Sequence, residues 1–263
     1  MNERQGNLVE IVKDKEFVLI DTNFIKVSAV ADKEFTEKYR DMHDPLLKSI
    51  LNHGQRGIIF KLFSVGDIKR INEAYRFFCE LIKENKNIFT IRGVISEIMP
   101  IFTTYSYVSS KIHDKEDRRE NGEKSSENKE KSRIIKGITR EVKSIITSLE
   151  KRVLPEDDTR YELFKKYAST LNGKKDEVDE ALVAMAFYQL VYHRKEVAVF
   201  SSDIGVKSKS LGVKGLIERM YYMLRGRDYE FLFNGWNDKR KLTLCNWLTK
   251  DGSYQEYRTL LLP

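Results

Sequence analysis

The 263-residue chain carries only two cysteines, Cys79 and Cys245, too far apart in sequence to form a metal-ligand or redox motif. Their scarcity argues against a disulfide scaffold and against a zinc site, and predicts buried free thiols in a reducing compartment. Long apolar runs are also missing. The longest, Ala181–Tyr192, is interrupted by Gln189 and falls short of the roughly 20 residues that span a bilayer. The opening segment has no apolar core of a signal sequence, so a soluble, cytoplasmic protein with no membrane partner is expected. There is no phosphate loop or dinucleotide fingerprint, because Gly212 and Gly215 lack the G-x-G-x-x-G spacing. Asn23 stands where a phosphatase with an Asp nucleophile would carry the second acid of Asp-x-Asp. His43, His53, His113 and His193 are isolated from one another and read as surface or structural groups.

What is present suffices for a core. Hydrophobic residues make up 41% of the chain, with 14 Phe and 13 Tyr, so wholesale disorder is excluded. Lys and Arg number 47 against 40 Asp and Glu, a net charge of +7. That balance is compatible with a polyanionic partner without proving one.

Phe17–Ile20 is a continuous apolar run ending at Asp21, the pattern of a strand buried on both faces in a parallel sheet. Asp44-Pro45 opens a short helix over Leu46, Leu47, Ile50 and Leu51, and a weaker pattern suggests a strand over Ile58–Phe63. Asp67 is placed as the N-cap of a helix carrying Ile71, Tyr75, Phe78, Leu81 and Ile82. Ile88–Ile91 reads as the second strand, Gly93 as a turn, and the following helix carries Glu97. Fifteen of the 23 residues in Lys111–Arg133 are charged, too many to bury and so repay their ordering entropy. Residues 110–133 are therefore expected to form a mobile, solvated insertion or a charged helix tip. An amphipathic helix follows over Ile134–Leu149, then a short strand at Val153–Pro155 and a helix over Tyr161–Ala168. Asn172-Gly173 punctuates the chain before a strong helix, Asp176–Tyr192, and a buried strand, Val197–Phe200, that runs into Ser201-Ser202-Asp203. Alternating strands and helices make this an α/β chain. One domain is expected over residues 1–228, with an aromatic extension over 229–263 packed on it.

In open α/β sheets, sites form beyond the carboxyl ends of the strands. Asp21 and Asp203 both occupy such ends. A helix from Asp179 to His193 advances roughly 22 Å, and the return through Glu196 to Ser202 covers about 23 Å. The two legs nearly cancel, so Asp179 and Asp203 are expected at one edge. Asp176, Asp179 and Glu180 share a helix face, and Glu97 can lean back over the same edge. Converging carboxylates repel and raise one another's pKa. A divalent cation removes that penalty, and an all-oxygen ligand set favours Mg²⁺ or Mn²⁺, whose natural chemistry is hydrolysis of a phosphodiester by activated water. Taken singly, each acid also has a structural explanation, as a turn former at a strand end or a cap at a helix start.

Phe17-Val-Leu-Ile-Asp-Thr-Asn-Phe-Ile resembles the first motif of the PIN-domain nucleases, and Ile91-Arg-Gly-Val-Ile-Ser-Glu-Ile resembles the second. Asp176-Glu-Val-Asp-Glu-Ala-Leu-Val-Ala-Met-Ala resembles the third, with Asp179 the best match, and Val197-Ala-Val-Phe-Ser-Ser-Asp the fourth. The resemblance covers roughly residues 15–30, 86–103 and 150–215. It implies a three-layer α/β/α sandwich around a central parallel sheet. It also implies cleavage, usually of single-stranded RNA, by a metal-activated water that leaves a 5′-phosphate and a 3′-hydroxyl. Asp21, Glu97, Asp179 and Asp203 would hold one or two Mg²⁺ or Mn²⁺ ions. Thr22, Asn23 and Ser201 would orient those ligands, with Asp176 and Glu180 in support. The long separations between the first three acids exceed what the small toxins of toxin–antitoxin pairs require.

Two other readings are weighed: a structure-specific DNA nuclease, and a non-catalytic RNA-binding scaffold on the same fold. A protein inhibitor or complex partner is also compatible with the sequence. Lys207, Lys209 and Lys214, with Arg219, Arg225 and Arg227, follow the fourth acid and either track a phosphate backbone or form a solvated helix face. The aromatic tail reads more readily as core packing than as a base-stacking platform.

Overall fold

The computed structural model describes residues 3–25, 27–39, 44–53, 62–117, 126–172, 176–201, 211–224, 241–246 and 255–261. In chain order these form α1 (Glu3–Asp14), β1 (Phe17–Ile20), a 3-10 turn (Thr22–Phe24), α2 (Val27–Val30), α3 (Lys33–Lys38), α4 (Pro45–His53), α5 (Val65–Glu84) and β2 (Ile88–Phe89). There follow α6 (Arg92–Asp117), α7 (Ser126–Glu150), α8 (Thr159–Leu171), α9 (Glu177–Val191), β3 (Val197–Phe200), α10 (Gly212–Leu224), β4 (Lys241–Asn246) and β5 (Gln255–Leu261). The class is α/β with a predominance of helix. Among the described residues no helix is long and apolar enough to cross a membrane.

The chain divides into two compact units interleaved in sequence. One unit takes residues 1–6, 25–84 and 96–151, the other 7–24, 85–95 and 152–263.

The second unit contains a five-stranded sheet in the order β2-β1-β3-β4-β5. β1 runs parallel to both β2 and β3, β4 is parallel to β3, and β5 returns antiparallel to β4. Phe17, Val18, Leu19 and Ile20 are all buried, as the unbroken apolar run requires of a strand covered on both faces. Phe17 stacks on Phe89 with ring centroids 4.6 Å apart, and Phe24 meets Phe200 edge-on at 5.0 Å. Val153 adds a single parallel bridge to Thr90, so the Val153–Pro155 expectation reduces to one rung. Helix α9 is buried on every side from Asp179 to Val191, as expected of a helix that is apolar all round. It packs on β3, α8 and α10. The stretch past residue 229 supplies β4 and β5 to the sheet.

The first unit is helical, and α5 packs along α7. Gly137 of α7 allows the close approach, since a Cβ there would sit 2.9 Å from Asn72 Oδ1. The cap of α5 is Ser64, one turn earlier than Asp67. Asp67 N–H donates to Ser64 Oγ at 3.0 Å and Ser64 N–H donates back to Asp67 Oδ2 at 3.3 Å, a reciprocal capping box with Asp in the Glu position. The charged stretch 110–133 is helical wherever it is described, as the end of α6 and the start of α7. Lys131 and Ser132 are buried there, with Lys131 paired to Glu127. The remainder, 118–125, lies outside the described residues, as do 58–61 of the Ile58–Phe63 strand expectation. Cys79 is a buried free thiol.

Candidate functional site at the carboxyl edge of the sheet

Asp21 follows directly on β1 and is 1% exposed. Its backbone is fixed on both sides: the N–H donates to Phe200 O at 2.9 Å, and the carbonyl accepts from Phe24 N at 3.0 Å to close the 3-10 turn. The side chain is held as firmly. Ser201 Oγ donates to Asp21 Oδ2 at 2.6 Å and Asn23 Nδ2 donates to the same oxygen at 3.3 Å. Ser201 comes from the end of β3, so the parallel pairing of β1 with β3 puts this hydroxyl on this carboxylate. Thr22 lies half-buried in the 3-10 turn. At the end of β2, Thr90 Oγ1 donates to Ile20 O at 3.3 Å.

The start of α9 adds a second group of acids to the unit. Asp176 is its N-cap, with Oδ1 accepting from Asp179 N at 3.3 Å, so Asp176 serves the helix backbone. Asp179 and Glu180 are 6% and 3% exposed, in the first turns, where the helix dipole favours a negative charge. Asn172, at the end of α8, donates Nδ2 to Glu180 Oε1 at 3.1 Å. Gly93 is not a turn residue but part of the first turn of α6. A Cβ on it would stand 2.9 Å from Val178 Cγ2, so the missing side chain lets the chain leaving β2 lie against the start of α9. Glu156 Oε1 accepts from Arg92 N at 3.2 Å and caps that turn. Asp21, Ser201 and Thr90 thus stand at the carboxyl ends of β1, β3 and β2, and the start of α9 lies against the chain leaving β2.

Other residues singled out in the sequence lie elsewhere. Glu97 sits in the second turn of α6, exposed, and belongs to the other compact unit. Asp203, Lys207 and Lys209 lie outside the described residues. Lys214, in α10, is 3.9 Å from Glu218 one turn on, and Arg219 donates to Leu171 O at 3.3 Å, closing the end of α8. Among the described residues no group of three or more His, Cys, Asp or Glu side chains is close enough to hold a metal ion. The donors that are described fit a hard divalent cation by type. Asp21 and the α9 acids offer carboxylate oxygens, one of them oriented by a hydroxyl, and Asn172 Oδ1 is a buried amide oxygen with no hydrogen-bond donor.

Asn172 and Thr90 are the site residues the sequence reading missed. Asn172-Gly173 was legible as a helix stop, but the Asn172 partner stands eight positions on, across the junction between α8 and α9. Compared with protein-family models, with curated proteins and with solved structures, the chain matches none.

Proposed function

We propose that the chain is a metal-dependent endonuclease acting on single-stranded RNA, built on a PIN-like three-layer sandwich. The observation that carries the reading is Asp21, buried at the end of a central parallel strand, with its carboxylate held at 2.6 Å by the Ser201 hydroxyl from the neighbouring strand. Asp21 and Asp179 enter on their motifs and their burial, Glu97 and Asp203 on their motifs alone. When bound, Mg²⁺ or Mn²⁺ supplies Lewis-acid activation of water and neutralises charge on the phosphodiester. The protein's part is orientation. Ser201 and Asn23 fix the Asp21 carboxylate in one rotamer, and the Asp176 cap fixes the first turn of α9, so that neither carboxylate must be ordered when substrate arrives. The net charge of +7 favours encounter with a polyanion.

The test incubates labelled single-stranded RNA with the full chain and Mn²⁺ or Mg²⁺, beside Asp21→Asn and Asp203→Asn. The expected result is metal-dependent cleavage in wild type and a loss of at least about a hundredfold in each variant. Cleavage that survives both substitutions would remove the site. Preference for flap or branched DNA would reassign the substrate, and retained RNA affinity with no Mn²⁺ binding would make the chain a non-catalytic RNA-binding protein.

A further inference from the structure

The Asn172–Glu180 pair departs from ordinary buried polar bonding. Both residues are more than nine-tenths buried, at 8% and 3% exposure. The Asn172 backbone N–H is used by Ala168 O at 3.0 Å, and its side-chain Nδ2 by Glu180 Oε1 at 3.1 Å. Asn172 Oδ1 is left buried with no donor among the described residues. Glu180, for its part, has the neutral Asn172 amide as its side-chain partner. Buried acceptors normally find donors, and buried carboxylates normally find a cation or several N–H groups. This pair combines an unmet amide oxygen with a carboxylate that faces the same amide.

One ligand answers both deficits. A water molecule supplies a donor to Oδ1 but adds no positive charge, so among the described residues the Glu180 carboxylate keeps the Asn172 amide and the start of α9 as its partners. A hard divalent cation takes carboxylate and amide oxygens together, since both are among its ordinary ligands, with water completing the shell. We infer that Glu180 and Asn172 Oδ1 contribute oxygens to a bound divalent cation of the Mg²⁺ or Mn²⁺ class. The inference rests on the metal-dependent reading above and extends it to two residues outside the four motif acids. Glu180 becomes a ligand where the sequence suggested only support, and Asn172 has the double task of holding Glu180 and adding an oxygen of its own.

The experiment strips the full-length protein with EDTA and titrates Mn²⁺ by calorimetry, with thermal unfolding measured in parallel. In Glu180→Gln the amide oxygen still accepts from Asn172, so the metal-free melting temperature should hold while Mn²⁺ affinity falls on the order of tenfold or more. In Asn172→Asp two carboxylates face each other. The metal-free melting temperature should drop and the Mn²⁺-induced rise should exceed that of wild type, a response that a merely structural pair would not produce. Wild-type Mn²⁺ affinity in Glu180→Gln, or no enlarged Mn²⁺ rise in Asn172→Asp, would overturn the inference, as would a wild type that binds no Mn²⁺. Asp21→Asn separates the two readings. If Mn²⁺ binding is lost there but intact in Glu180→Gln, the site at Asp21 stands and this inference falls. If Glu180→Gln abolishes Mn²⁺ binding while wild type cleaves no RNA, the inference stands and the nuclease reading falls.

Discussion

Buried acids occur in both compact units, but they are solved differently. In the helical unit Asp44 is 2% exposed and saturated. Its Oδ2 accepts from Tyr75 OH at 2.6 Å and Tyr105 OH at 2.7 Å, and its Oδ1 from Leu47 N at 2.9 Å at the start of α4. Burial first, and then the Asp44 charge, pushes both tyrosine pKa values well up, so the hydroxyls stay protonated and available as donors. Asp67 is spent in the same way, on the Ser64 capping box and on Lys38 at 3.0 Å. In the sheet unit Asp21 is oriented by a hydroxyl and an amide, while Glu180 shares an amide whose oxygen is unmet. Burial alone therefore says little about function. The donors around a carboxylate show what it does in the fold, as the two tyrosines and the α4 start do for Asp44.

The largest effect should come from breaking the saturated acid. Asp44→Ala orphans two buried hydroxyls at about 1–3 kcal/mol each and removes a cap worth about 1 kcal/mol, so urea unfolding should show a loss of about 3 kcal/mol or more. Asp21→Asn, at comparable burial, should change metal-free stability by only about 1 kcal/mol or less. Equal losses would erase the distinction between the two kinds of acid.

A smaller effect concerns Asp67. Burial raises its pKa, but the hydrogen bonds from Lys38 and Ser64 and the Lys38 charge outweigh it, leaving the carboxyl below its ordinary 3.8. Because the folded value is depressed, its contribution is present above pH 3.8 and is lost as pH falls through the lower folded value. Thermal melts of wild type and Asp67→Asn should therefore differ at neutral pH and converge in strong acid. A difference that persists below that window would assign the effect to packing.

Gly93→Ala sharpens the geometry of the sheet edge. The new methyl meets the stiff Val178 side chain and should cost about 1 kcal/mol or more, and Val178→Ala should return part of that loss in a double-mutant cycle. Strict additivity would mean that the α6 and α9 starts are not in contact. At the bottom of the scale, Lys33→Ala removes an exposed 3.9 Å pair with Glu37 and should shift stability by about 0.5 kcal/mol or less.

Much of the local structure was legible. Phe17–Ile20 and Val197–Phe200 are strands at the residues their apolar runs mark, because a run with no alternation suits a strand covered on both faces. The helix expected over Asp176–Tyr192 runs from Glu177 to Val191 with Asp176 as its N-cap. Elsewhere the pattern misled. Ser64-x-x-Asp67 carries the capping-box spacing, yet the apolar periodicity drew the helix start to Asp67. For 110–133 the sequence left open a mobile insertion or a charged helix tip, and the described residues are helical, with Lys131 and Ser132 buried. Strands β4 and β5, KLTLCN and QEYRTLL, mix polar and apolar residues, and their membership in the sheet depends on pairing with β3 and with each other.

By itself the sequence determined where apolar runs become strands and where acids close them, since these follow from side-chain chemistry within a few residues. Only the tertiary structure decided what each acid does. Ser201 reaches Asp21 because β1 and β3 pair across most of the chain. Asp44 is quenched by tyrosines on two other helices, and Asn172 Oδ1 has no donor among the described residues. A hydrogen bond is counted between groups in space, so the partners of a buried carboxylate are set by long-range packing that no local pattern encodes.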